Sequence, residues 1–259
     1  MPRKILQNPS TRETMELTQA QRHHQRLFED FGYLHIPGVF ADDADWIIEE
    51  YERVLQDNDV PLQGTERRGC SNVIEGSARL CTMIDNPVLV EALSAIMGDD
   101  FNYLGSSGEL MVGDGMWHPD GRFPIVRFVK VILYLDHLTQ DTGALRLVPG
   151  SHLQNWPGEN IDTQTRWGIS DHEMPCVSRP NAPGDVVLFN QNTLHNSLNG
   201  GNARRLLVMG FASSCHSEEE ISDFKGRYAS PQYSDIMLET AGPERMRHLR
   251  QPLELSTQK

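Results

Sequence analysis

The segment Trp117-His118-Pro119-Asp120 carries residue types of a metal site at a spacing that suits one. It follows a Gly-rich turn, and in an extended chain two residues separated by one other point to the same side. The imidazole of His118 and the carboxylate of Asp120 can therefore reach one metal ion. The motif is short, and a surface histidine beside a turn-capping aspartate would give the same letters.

A third ligand must come from elsewhere, and His195 is the candidate because it follows a predicted strand, 185–189, and a turn. Two imidazoles and one carboxylate bind one face of Fe(II) and leave the other positions open. Open positions of this kind accept a bidentate 2-oxo acid and then dioxygen. His118, Asp120 and His195 therefore predict a mononuclear iron centre.

Arg204 and Arg205 follow His195 at the start of another predicted strand, 205–211. A guanidinium there can make a bidentate, permanently charged contact with the far carboxylate of 2-oxoglutarate. Because side chains alternate along a strand, only one of the two points inward. We expect that one to be Arg204, although both arginines could also flank the strand in solvent.

Four further positions are open to two interpretations. Trp117 either packs beside the metal loop or borders the substrate. Arg127 and Lys130 interrupt an apolar strand, where an inward cation would suit an acidic substrate and an outward one would be solvated. We take Trp117 and Arg127 as candidate substrate contacts, and we expect His152 to act in its Pro-Gly-Ser-His turn.

Several enzyme classes are excluded by their motifs. The pair His172-Glu173 lacks the HExxH spacing of a zinc protease. The sequence also has no nucleophile elbow, phosphate-binding loop or dinucleotide glycine fingerprint.

The amino-acid composition limits the kinds of partner and the cellular compartment that we expect. Among 259 residues, 23 Lys and Arg face 36 Asp and Glu, a net charge of -13. Such a chain repels phosphate backbones and anionic membranes, so we expect a small-molecule partner and neither nucleic acid nor membrane. The 4 cysteines are scattered without a CxxC pair, as in reduced intracellular proteins. With no signal peptide and no apolar run of about 20 residues, the sequence predicts a cytoplasmic protein.

The elements that must position these residues change in kind along the chain. Amphipathic patterns predict helices first, over about 17–31, 43–57 and 87–97, with a short strand at 33–36. Short β-type runs separated by Gly, Pro and Asn turns follow, over 109–112, 125–134, 144–148, 185–189 and 205–211. This order predicts an α+β fold in which N-terminal helices pack on a β-barrel.

The remaining segments are predicted to be peripheral. We expect a single domain over 1–259, with a loose arm at 1–16, a lid insertion at 153–180 and a C-terminal extension at 216–259. A polar loop as long as 153–180 is usually functional or disordered, which suggests that it covers the barrel mouth.

Five blocks of the sequence, in order, resemble the phytanoyl-CoA dioxygenase (PhyH) family of iron(II)- and 2-oxoglutarate-dependent oxygenases. They are 17–40, His118-Pro-Asp120, 134–152, 183–189 and the run from His195 to Arg205. The resemblance covers about residues 17–212. It implies a double-stranded β-helix, a jelly-roll or cupin-like barrel with iron near its mouth. It also implies that Arg204 and Ser197, two residues after the distal histidine, bind 2-oxoglutarate.

The resemblance further implies an oxidoreductase of secondary metabolism. With Fe(II), 2-oxoglutarate and dioxygen it would oxidise, and most simply hydroxylate, a small metabolite, releasing succinate and carbon dioxide. The same scaffold can desaturate, epoxidise, epimerise or cyclise, and nothing in the sequence marks a coenzyme A ester. Two other classes remain open: a cupin-like zinc or manganese hydrolase or isomerase, and a non-catalytic binding module.

Overall fold

The computed structural model describes residues 17–121, 125–156, 160–228 and 231–257. Within these residues the strands are β1 (Tyr33–Ile36), β2 (Arg68–Ser71), β3 (Asn102–Met111), β4 (Phe128–Tyr134), β5 (Leu145–Leu147), β6 (Val177–Arg179), β7 (Val186–Asn190), β8 (His195–Ser197) and β9 (Arg204–Ala212). The α-helices are α1 (Gln19–Phe31), α2 (Ala44–Asp57), α3 (Ala78–Cys81), α4 (Pro87–Met97), α5 (Thr163–Trp167), α6 (Glu218–Arg227), α7 (Asp235–Glu239) and α8 (Pro243–Thr257). The arm expected at 1–16 lies outside the described residues.

The described strands form two antiparallel sheets. The larger has six strands in the order β1-β7-β4-β9-β3-β2, and the smaller has three in the order β6-β5-β8. The chain passes back and forth between the two sheets, so that β4 lies between β7 and β9 and β5 lies between β6 and β8. This interleaving is that of a double-stranded β-helix and agrees with the predicted fold.

Strand β9 shows how the larger sheet divides the molecule. Leu207, Met209 and Phe211 belong to the hydrophobic core shared with the N-terminal helices. Leu206 packs with the residues of the barrel interior, on the opposite face. Because side chains alternate along a strand, one face of the sheet supports the helices and the other lines the barrel.

The first helix begins and ends as its sequence predicts. Thr18 caps α1 and forms a reciprocal capping box with Gln21. Gly32 ends the helix with a φ of 82°, a conformation that favours glycine. A side chain at Gly32 would also lie 2.4 Å from Nδ1 of His152. His152 thus packs its turn against α1, where its Nε2 lies 3.1 Å from the Glu29 carbonyl.

Several elements differ from the sequence predictions. Strand β3 begins at Asn102, well before the predicted 109, and β4 begins at Phe128 instead of 125. The strands β6 and β8, of three residues each, were not predicted: β6 lies in the polar segment 153–180, and β8 follows directly on a turn. The segment 153–180 contains α5 and β6 and is not irregular throughout, and the C-terminal extension is largely helical.

Among the described residues no single helix is both long and apolar enough to cross a membrane. One bent pair, 78–85 with 87–97, meets the length and composition criteria jointly. Most of α4, in the second half of that pair, is buried in the core. The cytoplasmic location and the single-domain organisation stay predictions.

Candidate active site

A cavity of about 440 Å³ lies inside the barrel and contains His118, Asp120 and His195 on its wall. One ligand atom from each of the three lies within 4.8 Å of the others. Among the described residues this is the group of His, Cys, Asp and Glu side chains arranged to hold a metal ion. The structure therefore brings together the three ligands that the sequence predicts, although 75 positions separate Asp120 from His195.

Backbone pairing fixes the three ligands relative to one another. His118 and His195 form a bridge in which each amide donates to the other's carbonyl, at 3.2 and 3.0 Å. The amide of Asp120 donates to the carbonyl of Gln191 at 2.7 Å. The metal loop thus extends the smaller sheet beside β8, and the ligand positions do not depend on side-chain packing alone.

The orientation of both imidazoles suits a metal ligand. Nδ1 of His118 lies 2.7 Å from the Met116 carbonyl, and Nδ1 of His195 lies 2.9 Å from the Thr193 carbonyl. Because a carbonyl only accepts, each Nδ1 carries the proton and each Nε2 keeps its lone pair. The two Nε2 atoms lie 3.7 and 3.3 Å from the carboxylate oxygens of Asp120.

The protonation states also suit a metal. Burial lowers the pKa of His195 to about 4, so its imidazole is neutral at pH 7. Burial alone would raise the pKa of Asp120, but the adjacent His195 imidazole and the charge and hydrogen bond of Lys130 outweigh burial and hold the pKa below its ordinary value. A neutral imidazole and an ionised carboxylate are the forms that bind metal.

Lys130 also lies at this site, which settles its orientation. It sits on β4 with Nζ 2.6 Å from Oδ2 of Asp120, and its side chain is only 23% exposed. Of the two interpretations that the sequence allowed for Lys130, the inward one is therefore correct.

A second group of polar side chains surrounds Arg204, and one of its members, Ser197, lies on the cavity wall. Arg204 is 5% exposed. Its guanidinium donates to Ser197 Oγ at 3.2 Å and to the carbonyls of Gly143 and Gly113 at 2.8 and 2.5 Å. Among the described residues no carboxylate makes an ion pair with it, and burial lowers its pKa. A buried cation surrounded by neutral acceptors is a site for an anion of matching size.

The chain makes room for this guanidinium with glycines. A side chain at Gly143 or Gly200 would lie 2.1 Å from a nitrogen of Arg204. Gly143 also has a φ of 94°, which favours glycine. The space for the Arg204 side chain therefore depends on glycines in two loops, which the sequence indicates only as turns.

Tyr134 is a residue of this group that the sequence reasoning missed. It is buried and lines the cavity. Burial raises the pKa of its phenol, while nearby Arg204 and a hydrogen bond with Ser197 act in the opposite direction. Its signal was the period of two on β4, which puts Tyr134 on the same face as Lys130.

Arg205 points to the other face of β9. It pairs with Asp136 and, at 2.8 Å, with Glu52 of α2. The structure thus places one arginine inward and one toward the helices, and the inward one is Arg204, as expected. Its contact with 2-oxoglutarate stays a prediction.

The two predicted substrate contacts, Trp117 and Arg127, are not on the cavity wall that the structure describes. Trp117 is fully buried in a cluster with Trp156 and Leu194, and its Nε1 donates to the Asp171 carbonyl at 3.1 Å. Arg127 lies beside a different cavity, and Nη1 donates to the Ile96 carbonyl at 2.5 Å. The geometry favours structural roles for both.

The rest of the cavity wall carries an Arg–Glu ion pair, an Asp–His contact and apolar side chains. Arg67 makes a two-nitrogen contact with Glu109, with its Nε at 2.8 Å. Asp114 lies 3.7 Å from Nε2 of His172, which belongs to the segment 153–180. The apolar wall includes Met111, Met116, Ile132, Phe189 and Val208.

Comparison with known proteins gives the family. The profile described as Phytanoyl-CoA dioxygenase (PhyH) matches residues 28–205. A search of curated proteins gave no match.

Solved structures share the fold at low sequence identity. The non-heme alpha ketoglutarate dependent epimerase SnoN from nogalamycin biosynthesis is 19% identical, with a TM-score of 0.62 over 75% of this chain and 83% of that one. The non-heme alpha ketoglutarate dependent carbocyclase SnoK, from the same biosynthesis, is 17% identical, with a TM-score of 0.62 over 89% and 98%. HygX from Streptomyces hygroscopicus, solved with nickel and 2-oxoglutarate bound, is 21% identical, with a TM-score of 0.57 over 78% and 89%.

At these identities the structural matches show the fold alone, whereas the family profile spans more than half of the chain and includes the blocks that carry His118, Asp120, His195 and Arg204. The chain therefore belongs to the phytanoyl-CoA dioxygenase family of Fe(II)- and 2-oxoglutarate-dependent oxygenases.

Proposed function

We propose that this protein hydroxylates a small-molecule metabolite at an iron centre held by His118, Asp120 and His195. The observation that carries the proposal is a metal-ligand triad on the wall of a cavity that Ser197 also lines. Ser197 accepts a hydrogen bond from the buried Arg204, which has no carboxylate partner among the described residues. When bound, iron and 2-oxoglutarate supply the oxidation of a C–H bond by dioxygen, with succinate and carbon dioxide as the other products.

The residues around Arg204 fit one end of 2-oxoglutarate. The guanidinium offers a charged fork, and the hydroxyls of Ser197 and Tyr134 lie beside it. A carboxylate there would take these donors and neutralise the buried charge. The molecule's 2-oxo acid end would then extend toward the triad along the same cavity. We therefore propose Arg204, Ser197 and Tyr134 as the 2-oxoglutarate contacts.

The remaining cavity wall indicates the substrate class. Arg67 forms an ion pair with Glu109, Asp114 lies 3.7 Å from Nε2 of His172, and the other side chains of the wall are largely apolar. A coenzyme A ester carries several phosphate charges, but the Lys and Arg side chains on the described wall, Lys130 and Arg67, already pair with acids. The wall suits a compact molecule with an apolar body and one or two polar groups.

Among the oxidations that these cofactors support, hydroxylation has the fewest structural requirements. It requires that one C–H bond be held beside the metal and that bulk water be kept out. Family membership argues against the hydrolase, isomerase and binding-module alternatives. Desaturation, epoxidation, epimerisation and cyclisation use the same cofactors, and product analysis separates them from hydroxylation.

The test is an anaerobic titration of the purified protein with Fe(II) and then 2-oxoglutarate. We expect a weak visible charge-transfer band that requires both additions. His195→Ala should abolish it, whereas His137→Ala, which alters an exposed histidine away from the cavity wall, should not. If iron binds but the charge-transfer band does not appear after 2-oxoglutarate is added, the proposal is wrong. A metabolite library screened for substrate-dependent succinate release, with mass spectrometry of the products, would then identify the substrate and the reaction.

A further inference from the structure

Lys130 places a positive charge against the carboxylate of the triad. Its Nζ lies 2.6 Å from Oδ2 of Asp120, and the two side chains are 23% and 17% exposed. The neighbours of Lys130 across the sheet are Phe189 on β7 and Gly210 on β9, neither of which carries a charge. Among the described residues Asp120 is the acid with which Lys130 makes an ion pair.

This contact involves one of the two oxygens that Asp120 could offer to a metal. An aspartate can bind with one oxygen or with both. In a six-coordinate centre with two histidines, one-oxygen binding leaves three positions open and two-oxygen binding leaves two. A 2-oxo acid that chelates the metal needs two positions, and dioxygen needs a third. The proposed function therefore requires Asp120 to bind through a single oxygen.

We propose that Lys130 is a positioning residue that restricts Asp120 to one-oxygen coordination. The inference rests on the proposed function. The ammonium donates a charge-assisted hydrogen bond to Oδ2 and so competes with the metal for that oxygen. Both oxygens lie near the imidazoles, Oδ2 at 3.3 Å from Nε2 of His195 and Oδ1 at 3.7 Å from Nε2 of His118. With Oδ2 engaged by the ammonium, Oδ1 is left for the metal.

This role predicts that the loss of Lys130 does not weaken metal binding but does weaken binding of 2-oxoglutarate. In Lys130→Met the freed oxygen can join the metal, and a cation that repels the metal is removed. Co(II), used as a probe that does not turn over, should therefore bind at least as tightly as in the wild type. The affinity of the Co(II)-loaded protein for 2-oxoglutarate should fall by roughly tenfold, and a crystal structure of the loaded variant should show both oxygens of Asp120 on the metal.

Two further variants serve as controls, with calorimetry as the measurement. Lys130→Arg keeps a charged donor and should bind 2-oxoglutarate nearly as well as the wild type. Arg67→Met removes a cation from the same cavity, but one that pairs with Glu109, so neither constant should change by more than about twofold. Thermal melting of each metal-free variant shows whether it is folded.

Weaker Co(II) binding in Lys130→Met would overturn the inference, because it would show that Lys130 merely keeps Asp120 in place. Unchanged 2-oxoglutarate affinity, or one-oxygen coordination retained in the crystal structure, would also overturn it. A failure of the proposed function can be told apart from this. In that case the wild-type protein itself would not bind Co(II) and 2-oxoglutarate together, before any variant is compared.

Discussion

Replacing Arg204 should weaken binding of 2-oxoglutarate without removing the metal. The residue is 5% exposed, donates to Ser197 Oγ and has no carboxylate partner among the described residues. Arg204→Lys keeps the charge but loses the planar fork, and Arg204→Ala loses both. The neighbouring Arg205 is the matched control, because it faces the helices and pairs with Asp136 and Glu52.

The expected magnitude follows from the environment of the guanidinium. A hydrogen bond to a charged group contributes about 1.5–3 kcal/mol, and about 1.4 kcal/mol corresponds to a tenfold change in affinity. Arg204→Ala should therefore raise the dissociation constant for 2-oxoglutarate by roughly ten- to hundredfold. Its hydrogen bonds to Gly143 and Gly113 are lost as well, so the variant should also melt earlier than the wild type.

The assay is calorimetric titration of 2-oxoglutarate into the Co(II)-loaded protein, with Co(II) affinity measured separately. Arg204→Lys should fall between Arg204→Ala and the wild type. Arg205→Ala should lower the free energy of unfolding and leave 2-oxoglutarate affinity within about twofold of the wild type. If Arg205→Ala weakens 2-oxoglutarate binding and Arg204→Ala does not, the anion site has been assigned to the wrong face of β9.

Three further perturbations test other parts of the molecule. Asp120→Ala removes a metal ligand and should lower Co(II) affinity by more than roughly 100-fold; near-normal Co(II) binding in calorimetry would exclude Asp120 as a ligand. Trypsin should cleave after the exposed Arg166, in the proposed lid at 153–180, more slowly when Co(II) and 2-oxoglutarate are bound; equal rates would contradict a lid that responds to the site. Burial raises the pKa of Glu75 above its ordinary value of 4.5, so the folded protein holds this proton more tightly than the unfolded chain. That contribution to stability is complete below pH 4.5 and is lost as the pH rises through the raised pKa. As the pH rises through this range, the free energy of unfolding of the wild type should fall relative to that of Glu75→Gln. If the two free energies, measured by denaturation at each pH, change in parallel, the raised pKa of Glu75 is refuted.

Much of the fold follows from local sequence patterns. The capping box of Thr18 and Gln21 and the left-handed Gly32 set the ends of α1, because caps act within one turn of helix. The amphipathic pattern of 44–57 and the Pro87 start of α4 are confirmed in the same way. Of the three shortest strands, β5 was predicted within 144–148, whereas β6 and β8 were missed.

The candidate site also has residues that local sequence patterns indicate and residues that they do not. The sequence by itself indicated His118, Asp120 and His195, because two imidazoles and one carboxylate suit Fe(II) and the surrounding blocks resemble one family. It favoured Arg204 over Arg205, although alternation by itself says only that one of them faces inward.

The tertiary structure decided what depended on sheet register and on contacts between distant segments. Pairing of β9 with β3 and β4 turned Arg204 toward the barrel, where it reaches Gly113, 91 positions away. Pairing of β4 with β7 and β9 brought Lys130 to Asp120, whereas Trp117 packed into a separate cluster. Such outcomes cannot be read from local spacing, because a shift of one residue in register turns every side chain of a strand to the other face.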